Sequence, residues 1–207
     1  RIKDGARQVV VEKILKAGEV LEIENKWFNG ENVKLGEICK LIFLDDINST
    51  SSIELIEKSN PNLIIVFGTG KIKNNLINIF RDNIYNLHGG DPQKYRGLDS
   101  LLWAIYHKDY NSLKTTLHRI SSDLDKGDIF RIDKINFWSN MDLYQLRSSN
   151  TELCLQLSME LINEYKKHQI IKCFKQKSIG RYYSLMPESL KFRVSKNFKN
   201  FILKNFG

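Results

Sequence analysis

The apolar positions change period several times along the chain, and each change marks an element. Between residues 8 and 27, Val11, Ile14, Leu15, Val20 and Leu21 recur at helical spacing, and Asn29-Gly30 closes that stretch with a loop. From Leu41 onward, short apolar runs alternate with helical segments. Residues 41–44 read as a strand ending at Asp45-Asp46, and Ser51-Ser52-Ile53-Glu54 reads as a capping box opening a short helix with Leu55 and Ile56. Asn60-Pro61-Asn62 stops that helix. Leu63-Ile64-Ile65-Val66-Phe67 is continuous and rich in β-branched residues, as in a strand covered on both faces. Gly68-Thr69-Gly70 follows, then a helix with Ile72, Leu76, Ile77 and Ile79, then a short strand over residues 84–87. Residues 115–120 and 129–132 read as later strands. Residues 141–167 read as one or two long helices bearing Leu143, Leu146, Leu153, Leu157 and Leu161, and residues 187–207 alternate Phe with Lys as a basic amphipathic helix.

This strand–helix–strand rhythm predicts an α/β fold: an open, mostly parallel, Rossmann-like sheet over residues 1–140, followed by a helical C-terminal extension over residues 141–207. Ligands in such sheets bind beyond the carboxyl ends of the strands, which directs attention to residues 68–71 and 86–90 and to the turns after the later strands.

Composition narrows the class. With 42% hydrophobic and 27% charged residues among 207, the chain is globular, and its length suits one domain with an appendage. No window approaches the roughly 20 apolar residues of a membrane helix. The first ten residues carry Arg1, Lys3, Asp4 and Arg7 without the apolar block of a signal peptide. Three cysteines, none in a CxxC pair, exclude a disulfide scaffold or zinc ribbon and predict a reducing, cytoplasmic location. No spacing suggests a metal site. The net charge of +8 favours anionic partners without choosing among them.

Reactive residues are densest in Asn86-Leu87-His88-Gly89-Gly90-Asp91-Pro92-Gln93-Lys94-Tyr95-Arg96-Gly97. At a strand end, Asn86 and His88 stand two apart and point to one side. The two glycines after them admit close backbone approach to a ligand. An amide and an imidazole so placed can stabilise an oxyanion and carry a proton. Further on, Asp123-Leu124-Asp125-Lys126-Gly127-Asp128 offers carboxylates in a tight turn, while His118, on a strand, is expected to pack or hydrogen-bond.

Asn86-x-His88, with Tyr95-Arg96-Gly97 beginning seven residues after the His, resembles the formyltransferase family that uses 10-formyltetrahydrofolate. His118-x6-Asp125-x-Gly127 resembles that family's second motif. The resemblance implies catalytic positions at Asn86, His88 and Asp125. It implies folate contacts at Gly70, Lys71 and Ile72, at Gly90 and Asp91, and at Ser121, Ser122, Asp123 and Leu124. The Gly-Gly-Asp-Pro here, with Leu98-Asp99-Ser100 and Gly180-Arg181-Tyr182-Tyr183-Ser184-Leu185-Met186-Pro187, is most similar to the branch acting on nucleotide-linked amino sugars, notably the GDP-perosamine type. That branch implies sugar-nucleotide contacts at Gly89, Tyr95, Arg96 and Tyr182. For Tyr95 and Arg96, packing of the loop against the sheet is an equal alternative.

The resemblance thus implies N-formylation of a nucleotide-linked amino sugar for lipopolysaccharide O-antigen or other surface polysaccharide. The expected partners are folate and a nucleotide sugar, with no nucleic acid, and the long apolar helices leave room for a homodimer. A methionyl-tRNA formyltransferase is the first alternative; that branch adds a C-terminal β-barrel, whereas residues 141–207 read as helical. A non-catalytic binding module is the second. The family's opening strand–helix–strand unit has no recognised counterpart, and the chain opens on Arg1. The N-terminus is therefore expected to lie outside this chain, or the protein to be truncated.

Overall fold

The computed structural model of the chain describes residues 39–40 and 42–207. The helix expected over residues 8–27, the loop at Asn29-Gly30 and Leu41 of the first expected strand lie outside the described residues. The chain divides into two units, residues 1–60 with 68–70, and residues 61–67 with 71–207.

In the first unit, helix α1 (Thr50–Lys58) begins before the expected capping box. Ser49 is the N-cap, its hydroxyl accepting the Ser52 N–H at 3.2 Å. The run Ser49-Thr50-Ser51-Ser52 offers several capping hydroxyls, and the earliest one wins. Residues 42–44 carry no strand assignment, and Leu41, where the expected strand begins, lies outside the described residues.

The second unit carries a four-stranded sheet of β1 (Ile64–Phe67), β2 (Ile84–His88), β4 (Lys114–Arg119) and β5 (Ile129–Lys134), in the order β1-β2-β4-β5. Strands β1 and β2 are parallel and joined through α2 (Asn74–Ile79), the crossover expected of a Rossmann-like α/β fold. Strands β4 and β5 add antiparallel to β2 and to each other. One sheet face presents Tyr85, Leu87, Leu117 and Phe130 to Cys154, Leu157 and Leu161 of the single long helix α4 (Gln145–His168). Alternation along the strands leaves Asn86, His88, Thr116 and His118 on the opposite face.

A second core lies beside the first. Strand β3 (Tyr95–Gly97) pairs in parallel with β6 (Arg181–Tyr183), and helix α3 (Ser100–Tyr106) packs against α5 (Glu188–Phe206) through Leu102, Ala104, Ile105, Val194, Phe198 and Ile202. Val194, Phe198 and Ile202 stand four apart, so the amphipathic tail closes this core. Buried Asn197 donates to the carbonyls of Ile105 and Tyr106, satisfying the end of α3 that would otherwise lack partners. Residues 141–207 therefore supply side chains to both cores. No helix among the described residues is long and apolar enough to cross a membrane.

Candidate functional site

Strand β2 positions the first two groups. Asn86 is half-buried and His88 is 6% exposed, both on the face away from α4. Asn86 stands directly opposite His118 across the antiparallel pair, with Asn86 Nδ2 3.4 Å from His118 Nε2. A register irregularity between Leu117 and His118 lies at this point, a device that re-aims a strand side chain. The Nδ1–H of His118 donates to the Arg119 carbonyl at 2.8 Å, leaving Nε2 toward the cluster.

Asp125 completes it from the loop between β4 and β5. Its backbone is left-handed, φ 56°, and a Cβ on Gly127 would collide with the Arg119 carbonyl, so the chain can turn back this tightly only with glycine there. The carboxylate of Asp125 is buried between two imidazoles. Its Oδ2 lies 3.7 Å from His88 Nδ1 and its Oδ1 lies 3.5 Å from His118 Nε2. Oδ2 also accepts the Gly97 N–H at 2.8 Å. Burial alone would raise this carboxyl, but the hydrogen bond from His118, the charge of His88 and the Gly97 N–H outweigh it and hold the pKa down to about 2.

His88 moves the other way. Burial pushes its pKa below the ordinary 6.5, against the opposing pull of Asp125. Its Nε2 faces the Tyr95 carbonyl at 3.1 Å. Both neighbours are acceptors, so the imidazolium satisfies both and the neutral ring satisfies one. At neutral pH the site thus holds an ionised carboxylate beside a neutral, proton-accepting imidazole.

The remaining sequence-predicted residues fall into two sets. Gly89 is half-buried against the Asn150 amide, where an added Cβ would come to 3.2 Å of Oδ1, and Gly90 lies against the His88 ring, where one would come to 2.9 Å of Nε2. Ser122 and Asp123 are exposed, Leu124 is 39% exposed, and Ser121 donates to the Asp123 carbonyl. The Lys126 ammonium, bonded to the Asp123 carboxylate at 2.8 Å, lowers that carboxyl most, with smaller electrostatic contributions from Lys71 and Arg96. Tyr182 is half exposed. Gly70 belongs to the first unit.

The other set points inward. The buried Asp91 carboxylate is ion-paired to Lys114 at 2.7 Å and accepts the Gln93 N–H, so it organises its own turn instead of facing a ligand. Ile72 is 5% exposed and its side chain is core. Tyr95 is core as well, stacked on Tyr183 at 5.5 Å. Arg96 donates to the carbonyls of Gly180 at 2.6 Å and Leu124 at 3.0 Å, so its guanidinium ties loops together. For Tyr95 and Arg96 the packing alternative is the one the structure favours.

His118 packs and hydrogen-bonds as expected, but sequence reasoning did not bring it beside Asn86 and Asp125. Its only signal is the spacing to Asp125, because the β2–β4 register that brings it opposite Asn86 is not written in either strand. Among the described residues, no group of three or more His, Cys, Asp and Glu could hold a metal ion.

No protein-family model matches the chain. In sequence it is similar to the methionyl-tRNA formyltransferase of Finegoldia magna, 27% identical over 124 residues that make up 59% of this chain and 40% of that protein. It is also similar to the methionyl-tRNA formyltransferase of Clostridium tetani, 28% identical over 176 residues, 84% of this chain and 54% of that protein. The chain spans about half the length of these curated relatives. In structure it is similar to the formyltransferase PseJ from Anoxybacillus kamchatkensis, solved in complex with UDP-4,6-dideoxy-4-formamido-L-AltNAc and tetrahydrofolate. That similarity has a TM-score of 0.55 at 22% identity and covers 83% of this chain and 82% of that one.

Proposed function

We propose that this chain, which belongs with the formyltransferases by fold and by sequence similarity, moves a formyl group from 10-formyltetrahydrofolate to the amine of a nucleotide-linked amino sugar. The observation that carries the reading is the meeting of Asn86, His88 and Asp125 on one sheet face, joined by His118. The folate supplies the formyl carbon and a nitrogen leaving group. The protein supplies a donor for the oxygen that becomes negative as the amine nitrogen bonds to that carbon, and an acceptor for the proton the nitrogen loses. The Asn86 amide suits the first task, where one donor is worth roughly 100- to 1000-fold in rate. The neutral His88, with ionised Asp125 beside it to stabilise the imidazolium, suits the second, worth about 100- to 10,000-fold. Collapse returns the oxygen to a carbonyl and expels the folate nitrogen, which takes the proton held by His88 and leaves as the neutral amine. The exposed residues Ser122, Asp123 and Leu124, together with Lys71, are the candidates for holding the folate.

The sugar acceptor rests on the Gly89-Gly90-Asp91-Pro92 turn and the Gly180–Pro187 stretch, and on the nucleotide-sugar product bound to the structural neighbour. With that acceptor we assign the chain to surface polysaccharide synthesis in the cytoplasm. Initiator tRNA is the second reading, favoured by the names of the sequence relatives. Purified protein with 10-formyltetrahydrofolate and a panel of GDP-, dTDP- and UDP-linked amino sugars, assayed by mass spectrometry beside charged tRNA, decides between them. A formamide on a sugar supports the proposal; a formyl group on tRNA alone replaces it with the second reading.

A further inference from the structure

We infer that Gln176 is a positioning residue of this site: its carboxamide fixes the turn that aims the Asp125 carboxylate between His88 and His118. The inference rests on the reading of Asn86, His88 and Asp125 as the reacting cluster. Gln176 lies about fifty residues beyond Asp125 and outside both motif blocks. Its Nε2 donates to the Asp125 carbonyl at 2.8 Å and to the Gly127 carbonyl at 2.9 Å. One side chain thus holds the peptide carbonyls on either side of Lys126, in the segment where Asp125 adopts its left-handed backbone. Such a conformation costs energy in a residue with a Cβ, though least in Asn and Asp, so a tether on its carbonyl helps to hold it.

The amide orientation is forced. Turned over, Oε1 would face two carbonyl oxygens, so the nitrogen must face them. Oε1 is buried with no hydrogen-bond partner among the described residues. A side chain that leaves its acceptor unsatisfied is held there by what its nitrogen does.

The chain around Gln176 is fastened to the start of β5 and to the loop after β2. Two residues earlier, Phe174 exchanges both backbone hydrogen bonds with Ile129, at 2.8 and 2.9 Å. One residue later, the Lys177 N–H donates to Gln93 Oε1 at 2.9 Å, and Ser178 Oγ donates to the Gln93 carbonyl at 2.9 Å. The Gly180 N–H donates to the Pro92 carbonyl at 3.1 Å. Residues 174–180 therefore clasp the loop after β2 and the loop after β4. The first of these loops leads to the Gly97 N–H that grips Asp125 Oδ2. Gln176 sets the second against it.

The test is Gln176→Met, which keeps side-chain length and removes both donors, followed by NMR titration of the His88 ring. The groups facing that ring are Asp125, His118, the Asp91 carboxylate and the Tyr95 carbonyl, and only Asp125 loses its anchor in the variant. The His88 midpoint should fall by about one unit, in the same direction as in Asp125→Asn. Turnover should fall by about 100-fold with KM little changed, as for a misplacement near 1 Å. A His88 midpoint identical to wild type in folded Gln176→Met overturns the inference. The titration needs no formyl transfer, so a wild-type protein that formylates nothing would defeat the proposed function and leave this readout intact. Should Gln176→Met not fold, the wild type decides: its Gln176 carboxamide hydrogens should exchange at least about tenfold more slowly than those of exposed glutamines. Exchange at the exposed rate overturns the inference equally.

Discussion

Asn86 and His118 face each other across the β2–β4 pair, with His118 Nε2 3.4 Å from the Asn86 amide nitrogen and 3.5 Å from Asp125 Oδ1. The single nitrogen has two uses. In the neutral ring it accepts from Asn86 and so orients the amide; in the imidazolium it faces the carboxylate. Either way, His118 joins the half-buried amide to the buried carboxylate.

Replacing His118 with Phe keeps a ring in the strand and removes the acceptor. Turnover is expected to fall by about 10- to 100-fold, within the range for losing an oriented donor or proton-transfer partner. The KM for the amino sugar should change little, because no sugar contact is assigned to this ring. Steady-state kinetics at saturating folate donor check this. A large rise in KM with turnover preserved would place His118 in acceptor binding instead.

Gly90→Ala isolates the packing behind His88. An added Cβ would stand 2.7 Å from Ser100 Cβ and 2.9 Å from His88 Nε2, closer than Cβ atoms pack, and neither neighbour is a flexible chain end. The Gly90 carbonyl is also held by Thr116 Oγ1 at 2.7 Å, so the backbone cannot simply withdraw. We expect a loss of about 1–3 kcal/mol in urea unfolding. A stability equal to wild type would mean that the turn relaxes freely.

The two titrating groups make acid doubly destabilising. His88 has its pKa lowered from 6.5 by burial, so the unfolded chain takes up this proton first and stability falls as pH drops below about 6.5. Asp125 is depressed from 3.8 to about 2, so its contribution is complete above 3.8 and is lost as pH falls toward 2, an effect of about 2 kcal/mol. Unfolding midpoints measured from pH 8 to 4 should decline in the wild type from pH 6.5 downward. His88→Asn should flatten the upper part of that decline. A wild-type curve that is level between pH 6.5 and 5 would contradict the buried, neutral imidazole.

The legible and illegible parts of this site divide along physical lines. Period two along one strand is enough to put Asn86 and His88 on the same side, and a continuous apolar run is enough to mark the β1 neighbour. The His118-to-Asp125 spacing brings the chain back on itself through a turn that Gly127 makes possible. What the chain does not display locally is the register between strands, so the packing and hydrogen bonding expected of His118 come without the identity of its partners, Asn86 and Asp125. Nor does it display which carboxylates already have partners: the resemblance implies a folate contact at Asp91, whereas the structure pairs its carboxylate with Lys114 of β4. Packing and ligand contact are equal alternatives for Tyr95 in the sequence, and the stacking with Tyr183 of β6 favours packing. Each of these partners is distant in sequence.

Arg96 offers a way to loosen the Asp125 loop without replacing Asn86, His88 or Asp125. Its Nε and Nη1 hold carbonyls 84 residues downstream at Gly180 and 28 residues downstream at Leu124, a divergent pair that a planar guanidinium can reach at once. A lysine in its place keeps the charge but offers a single point donor, so Arg96→Lys should release one of the two carbonyls and cost about 1–2 kcal/mol. The release should be felt most at residues 121–124, already the most exposed part of the loop. Trypsin should then cut after Lys126 several-fold faster than in the wild type, roughly as the local opening equilibrium shifts by the same free energy. A thermal melt measures the stability loss and timed proteolysis measures the opening. If both match the wild type, the guanidinium does not hold this loop, and Arg96 becomes available again as a contact for an anionic substrate.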